Sequence, residues 1–137
     1  MGVQFQDNSA QVMAQFERNK AKTLEEIGLT WQRHASEEAK MMGVMKTGRF
    51  RASLSYITPT RASGPNASAP GQKPSDALSG TSETDAVTVG SNVEYAAYLE
   101  NGTWKMAARP TVNRSVLNYQ SDYRQIIERT MGQGFGK

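Results

Sequence analysis

Three observations predict an α+β fold. A helical apolar stripe runs for about 35 residues near the start, short β-prone runs flank a proline-rich stretch, and a second helical stripe lies near the end. The expected elements are a long N-terminal helix, a small antiparallel β-sheet with a long Pro/Gly/Ser-rich loop, a short central helix and a C-terminal helix. At 137 residues the chain suits one domain, 1–137, with a small core.

Residues from about Asp7 to Met42 read as one long helix or two abutting ones. Asp7, Asn8 and Ser9 offer N-cap oxygens. Val12, Phe16, Leu24, Ile27, Trp31, Ala35, Ala39 and Met42 then recur near helical spacing, interrupted at Asn19 and Lys20. Gly43 is the expected stop. Such a helix spans roughly 50 Å, whereas a domain of this size is about 35 to 40 Å across. It must kink, with Gly28 as the place, or overhang its own domain. An overhanging apolar face needs a neighbour, which favours an oligomer.

Arg49 to Thr58 alternates, with Phe50, Ala52, Leu54 and Tyr56 on one side and Arg49, Arg51, Ser53 and Ser55 on the other, as in a half-buried strand after a Thr47-Gly48 turn. Between Pro59 and Asp85 stand four of the five prolines, among Gly, Ser, Ala and Thr. Such a segment buries little, so residues 59–85 are expected to be a flexible loop. Ala86 to Gly90 resumes a strand, and the simplest topology pairs the two strands antiparallel with an extended tip.

Ser91-Asn92-Val93-Glu94 has the form of a capping box ahead of a short helix carrying Tyr95, Tyr98 and Leu99. Asn101-Gly102 supplies its stop, with a hairpin turn as the competing reading. Arg109-Pro110 opens the last helix, in which Val112, Val116, Tyr119, Tyr123, Ile126 and Ile127 form a stripe to about Thr130. The tail 131–137 is Gly-broken and expected to fray, leaving Phe135 to dock on a partner.

Composition excludes several classes. Cysteine is absent, which removes disulfides, thiolate metal sites and cysteine nucleophiles. No stretch approaches the roughly 20 apolar residues of a membrane span. The opening MGVQFQDNSAQ has neither an apolar signal region nor an Arg-rich presequence, and Gln6 stands where a myristoylation signal wants Ser or Thr. The chain is expected to stay in the compartment where it is made. The net charge of +3 is scattered, with mild clusters at Lys46, Arg49 and Arg51 and at Lys105, Arg109 and Arg114, unlike the concentrated stripe of a nucleic-acid binder.

Chemistry-bearing patterns are sparse. His34, the single histidine, is read as a surface or interface residue. The pairs Glu25-Glu26 and Glu37-Glu38 do not face each other on a helix, and the Gly-rich pieces lack a phosphate-loop lysine. No catalytic, cofactor or metal residue is assigned. Met41, Met42 and Met45 fit core filling at a helix end, with an adaptable binding surface as the rival. Tyr95, Tyr98 and Trp104 either pack beneath the last helix or anchor a subunit contact. Glu100 and Arg109 flank that group and are expected to form an ion pair, within or between subunits.

Three blocks carry a resemblance. TGRFRASLSYI (Thr47 to Ile57), VGSNVEYAAYLENGT (Val89 to Thr103) and KMAARP (Lys105 to Pro110) resemble the neck and tail-component proteins of tailed bacteriophages, a family of head–tail joining or tail-completion proteins. The matched positions are Gly48, Arg51, Ser53, Gly90, Val93, Tyr95, Ala96, Tyr98, Glu100, Gly102, Thr103, Arg109 and Pro110, with Trp104 in the same run. Thr111-Val112 departs from the bulkier Phe-Leu pair usual after the proline. The resemblance implies a non-enzymatic structural virion protein, made in the host cytoplasm, that forms a ring, most simply a hexamer, in the neck. Its implied partners are the adjoining connector or stopper and the tail-terminator or tail-tube proteins. Contact with transiting DNA would be weak at most, and no membrane is involved. A tail-terminator ring capping the tube and a small DNA-binding packaging accessory protein are the alternatives.

Overall fold

A computed structural model describes residues 8–41, 48–104 and 107–133. The elements run α1 (Ser9–Met41), α2 (Arg49–Ser53), β1 (Ser55–Ile57), β2 (Thr88–Gly90), α3 (Ala96–Asn101), α4 (Thr111–Leu117) and α5 (Gln120–Met131), with a 3-10 turn at Pro74–Asp76. The α+β class and the order of elements are as expected. The positions Asp7, Met42, Gly43, Met45, Lys46, Thr47, Lys105 and Phe135 lie outside the described residues.

α1 is the axis of the molecule. Its 33 residues run unbroken through Gly28, so the length is taken up by an overhang and not by a break. Gly28 has a different task. The ring of the fully buried Tyr56 crosses α1 there, and a Cβ at Gly28 would fall inside that ring's van der Waals envelope. The glycine is needed for close approach. Asn19, which interrupts the apolar stripe, is buried. Its amide donates to the carbonyls of Met131 (3.1 Å) and Gln133 (2.7 Å), closing off the C-terminal end of α5. One turn on, the Thr23 hydroxyl bonds that of Thr130.

The core gathers on the second half of α1, where Trp31, Ala35 and Ala39 meet Phe50 and Leu54, with Val89, Tyr95, Leu99, Val112, Val116 and Tyr123 packed around them. Alanine at two successive turns lets neighbouring elements approach the helix closely, as dense interior packing requires. The β-pair is antiparallel, with Ser55 opposite Gly90, Tyr56 opposite Val89 and Ile57 opposite Thr88.

Four expectations are corrected. The alternation over Arg49 to Thr58 is half helix: Gly48, at φ 77°, turns the chain into α2, and only Ser55–Ile57 is strand. Phe50 and Leu54 lie four apart, so they share a helical face as readily as a strand face. Ser53 and Ser55, expected outside, are fully buried. The Ser53 hydroxyl donates to the Phe50 carbonyl (2.6 Å), and that of Ser55 accepts from the Leu78 amide (2.8 Å).

The second correction concerns residues 59–85, which do not form an extended tip. The segment folds back on the body: the Ser63 amide reaches the Tyr56 carbonyl (2.9 Å), the Asn66 amide that of Ala52 (2.7 Å) and the Ser82 amide that of Thr58 (3.2 Å). Polar backbone laid against a core must find such partners.

Thirdly, the Ser91–Glu94 capping box does not form. The Ser91 hydroxyl accepts from Val93 (3.1 Å), Glu94 turns to Arg49 (3.0 and 2.9 Å), and α3 starts later, at Ala96.

Lastly, the C-terminal helix is two helices broken at Asn118-Tyr119, and Pro110 precedes the first helical residue instead of occupying it. The Tyr123 hydroxyl donates to the Ser115 carbonyl (2.6 Å), taking the acceptor that a continuous helix would offer to the Tyr119 amide.

Candidate assembly surface

The motif residues divide into a buried joint and an exposed rim. Gly48, Ser53, Gly90, Val93 and Tyr95 lie in the joint where α2, the β-pair and the approach to α3 meet. Ser53 and Ser91 join their hydroxyls at 2.6 Å, while Gly90 pairs with Ser55 at a φ of 153° that side chains disfavour. Val93 is buried, and Tyr95 packs against the core with the Arg49 guanidinium 5.7 Å from its ring centre.

Arg49 organises this joint. It grips the buried Asp76 with two nitrogens, both at 2.9 Å, and also binds the Glu94 carboxylate. Its hydrogen bonds hold the Asp76 and Glu94 carboxyls below the usual carboxylate range, and theirs raise its own pKa in turn. The sequence placed Arg49 in a mild basic cluster and on the outer side of an expected strand. Its partners stand 27 and 45 residues away, so no local spacing signalled them.

Glu100 and Arg109 do not form the expected ion pair within the chain. The Glu100 carboxylate instead accepts from the Val112 (2.6 Å) and Asn113 (3.3 Å) amides, capping α4 from the end of α3. Arg109 contributes its backbone amide to the Leu99 carbonyl (2.6 Å), and its side chain is exposed. Gly102 ends α3 at φ 75°, its amide bonded to the Tyr98 carbonyl (2.8 Å), which excludes the hairpin reading. Beyond Pro110, Thr111 is fully buried and Val112 packs on the core, so the departure from the bulkier pair is accommodated.

Of the three aromatic residues in question, Tyr95 takes the core role, while Tyr98 and Trp104 are 59% and 90% exposed. Met41 is also exposed and is not core filling within the chain. Val12, Met13 and Phe16 are 48%, 57% and 40% exposed on the first turns of α1; Val12 and Met13 lie N-terminal to the point where Gln15 reaches the Gln133 carbonyl (3.3 Å), and Phe16 lies beside it. Arg51 lines a separate cleft with Leu29, Arg33 and Glu37.

His34 departs most from its reading. It is buried, its ring stacked on Tyr119 at 3.7 Å and 6°, with Nε2 3.0 Å from the Asp122 carboxylate. The Nδ1 atom is buried and has no partner among the described residues, so the His34–Asp122 pair presents no second nitrogen to a nucleophile. Burial and nearby carboxylates push the Tyr119 and Tyr123 hydroxyls above their ordinary pKa. On the other side of α1, Tyr56 is raised by burial and by donating to Glu25 (2.5 Å), which Arg61 also binds.

Among the described residues, no group of three or more His, Asp or Glu is placed to hold a metal ion, and no helix is long and apolar enough to cross a membrane. No family model, curated protein or solved structure matches the chain.

Proposed function

We propose that this protein is a non-enzymatic structural component of a phage neck, made in the host cytoplasm and carried in the virion. It would form a ring, most simply a hexamer, that joins the head connector to the tail tube. One observation carries the reading: the first turns of α1 expose Val12, Met13 and Phe16, a face that the other described residues leave largely uncovered. Contiguous exposed apolar surface of this kind marks a contact with another molecule. Tyr98 and Trp104, in the run that resembles the neck family, add aromatic side chains of the type that anchors interfaces.

The test is the mass of the purified protein by light scattering, together with electron microscopy of the protein and of isolated necks. A hexamer-sized ring, free or only in particles, supports the reading. A persistent monomer or dimer that is absent from particles rejects it.

A further inference from the structure

Two charged features stand on different sides of α1, and we propose that they meet between neighbouring copies: the Glu83–Asp85 turn of one subunit seats in the Arg33/Arg51 cleft of the next. The proposal rests on the ring reading above.

The cleft, of about 330 Å³, lies between the second half of α1 and the α2 region, with Leu29, Arg33 and Glu37 on one wall and Arg51 and Asn66 on the other. Neither guanidinium makes an ion pair among the described residues. Two positive charges outweigh the one carboxylate, and Leu29, 53% exposed, adds an apolar side chain to the α1 wall. Lys40 continues the basic character two turns along the same stripe of α1.

The turn lies against the first half of α1, where Thr84 borders Lys20, Ala21 and Leu24. Lys20 binds Asp85 at 3.0 Å and Glu17 at 3.1 Å, so the local cation is already engaged. The exposed Glu83 has no ion-pair partner among the described residues, and it is left as the turn's available charge.

Geometry keeps the two features apart within one chain. Ala21 and Arg33 stand roughly 18 Å apart along α1 and about a third of a turn apart around it. The two features can therefore pair only between molecules. Contact between two different patches of one chain is heterologous, and it closes into a ring when the rotation allows.

The absence of cysteine from the natural chain makes a clean test. Glu37→Cys and Thr84→Cys are combined in the full-length protein and treated with a short bis-maleimide linker. A ladder of covalent multimers ending at the ring is expected, with each single variant giving dimers at most. Arg33→Glu should weaken association roughly two- to fivefold, and Glu83→Arg should restore it. A ring seen by microscopy that gives no ladder overturns this contact and leaves the ring reading standing. A protein that is monomeric in solution, gives no ladder and forms no ring in particles removes both. Duplex DNA binding that is lost in Arg33→Glu, without a ladder, would assign the cleft to nucleic acid and overturn the proposal.

Discussion

The two ends of α1 carry the same kind of apolar spacing and meet opposite fates. From Thr23 to Ala39 the stripe is buried, with Trp31 at 1% exposure and Ala35 and Ala39 at 0%. From Val12 to Phe16 a comparable stripe stands in solvent. Periodicity marks a face that can be buried; it does not say by what. The covered half meets α2, the β-pair, α4 and α5 of its own chain, with Thr23 bonded to Thr130 and His34 to Asp122. Val12 and Met13, by contrast, lie N-terminal to the Gln15 and Asn19 contacts at the end of α5. An apolar face left this exposed contributes little to folding, and it is the face on which the proposed ring contact rests.

That contrast can be broken or sharpened by substitution. The largest effect is expected from Trp31→Ala, which should cost about 3–5 kcal/mol by opening a cavity in the core. Chemical denaturation would measure it, and a loss below about 1 kcal/mol would show that the covered half is not the centre of stability. Gly28→Ala comes next. Helix propensity returns about 1 kcal/mol, but pressing a Cβ into the Tyr56 ring costs about 1–3, and Tyr56 is fully buried with little room to yield. A net loss of up to about 2 kcal/mol is expected, and a gain in stability would mean that the ring moves freely.

Glu100→Ala should cost about 1 kcal/mol through the lost cap of α4, whereas Arg109→Glu should stay within about 0.5 kcal/mol in the isolated chain. Equal losses in the two variants would restore the ion pair that the structure replaces with a cap. A smaller contribution depends on pH. Asp76 and Glu94 are held below their ordinary values of 3.8 and 4.5, so their share of stability is complete above those values. It is lost as pH falls below them through the lowered folded-state values. The melting temperature of the natural chain should decline across that acid window, and Glu94→Gln should flatten the decline; an unchanged slope would dismiss the Arg49 network as its source. The smallest effect on folding belongs to the bare half. Phe16→Ser should alter monomer stability by less than about 0.5 kcal/mol, while reducing ring formation in light scattering. Intact assembly in that variant would detach the overhang from the interface.

Much of this architecture was legible in order and type. The start and the long run of α1, the antiparallel pairing of the segments around residues 55 and 90, and the stop at Gly102 follow from periodicity and glycine conformational freedom. The errors cluster where distant partners compete for local groups. Glu94 had the spacing of a capping box, but Arg49 claims it. A single helix was expected through Tyr119, but Tyr123 takes the Ser115 carbonyl and His34 stacks on the displaced ring. His34 itself offered no neighbour in sequence to reveal Asp122, 88 positions away. The candidate surface was read in the same uneven way: the run holding Tyr95, Tyr98 and Trp104 was identified, but which of the three rings faces inward was not.

The sequence by itself determined the order of most helical and extended segments, the glycine stop at Gly102, and that no cysteine chemistry was available. Those properties rest on dihedral preference and on the spacing of apolar groups along a few turns. Only the tertiary structure decided which carboxylate caps and which one pairs, that the proline-rich segment lies down on the body, and which half of α1 stays bare. Each of those outcomes is a competition between partners far apart in the chain, and the winner is set by distance and burial, which local spacing does not encode.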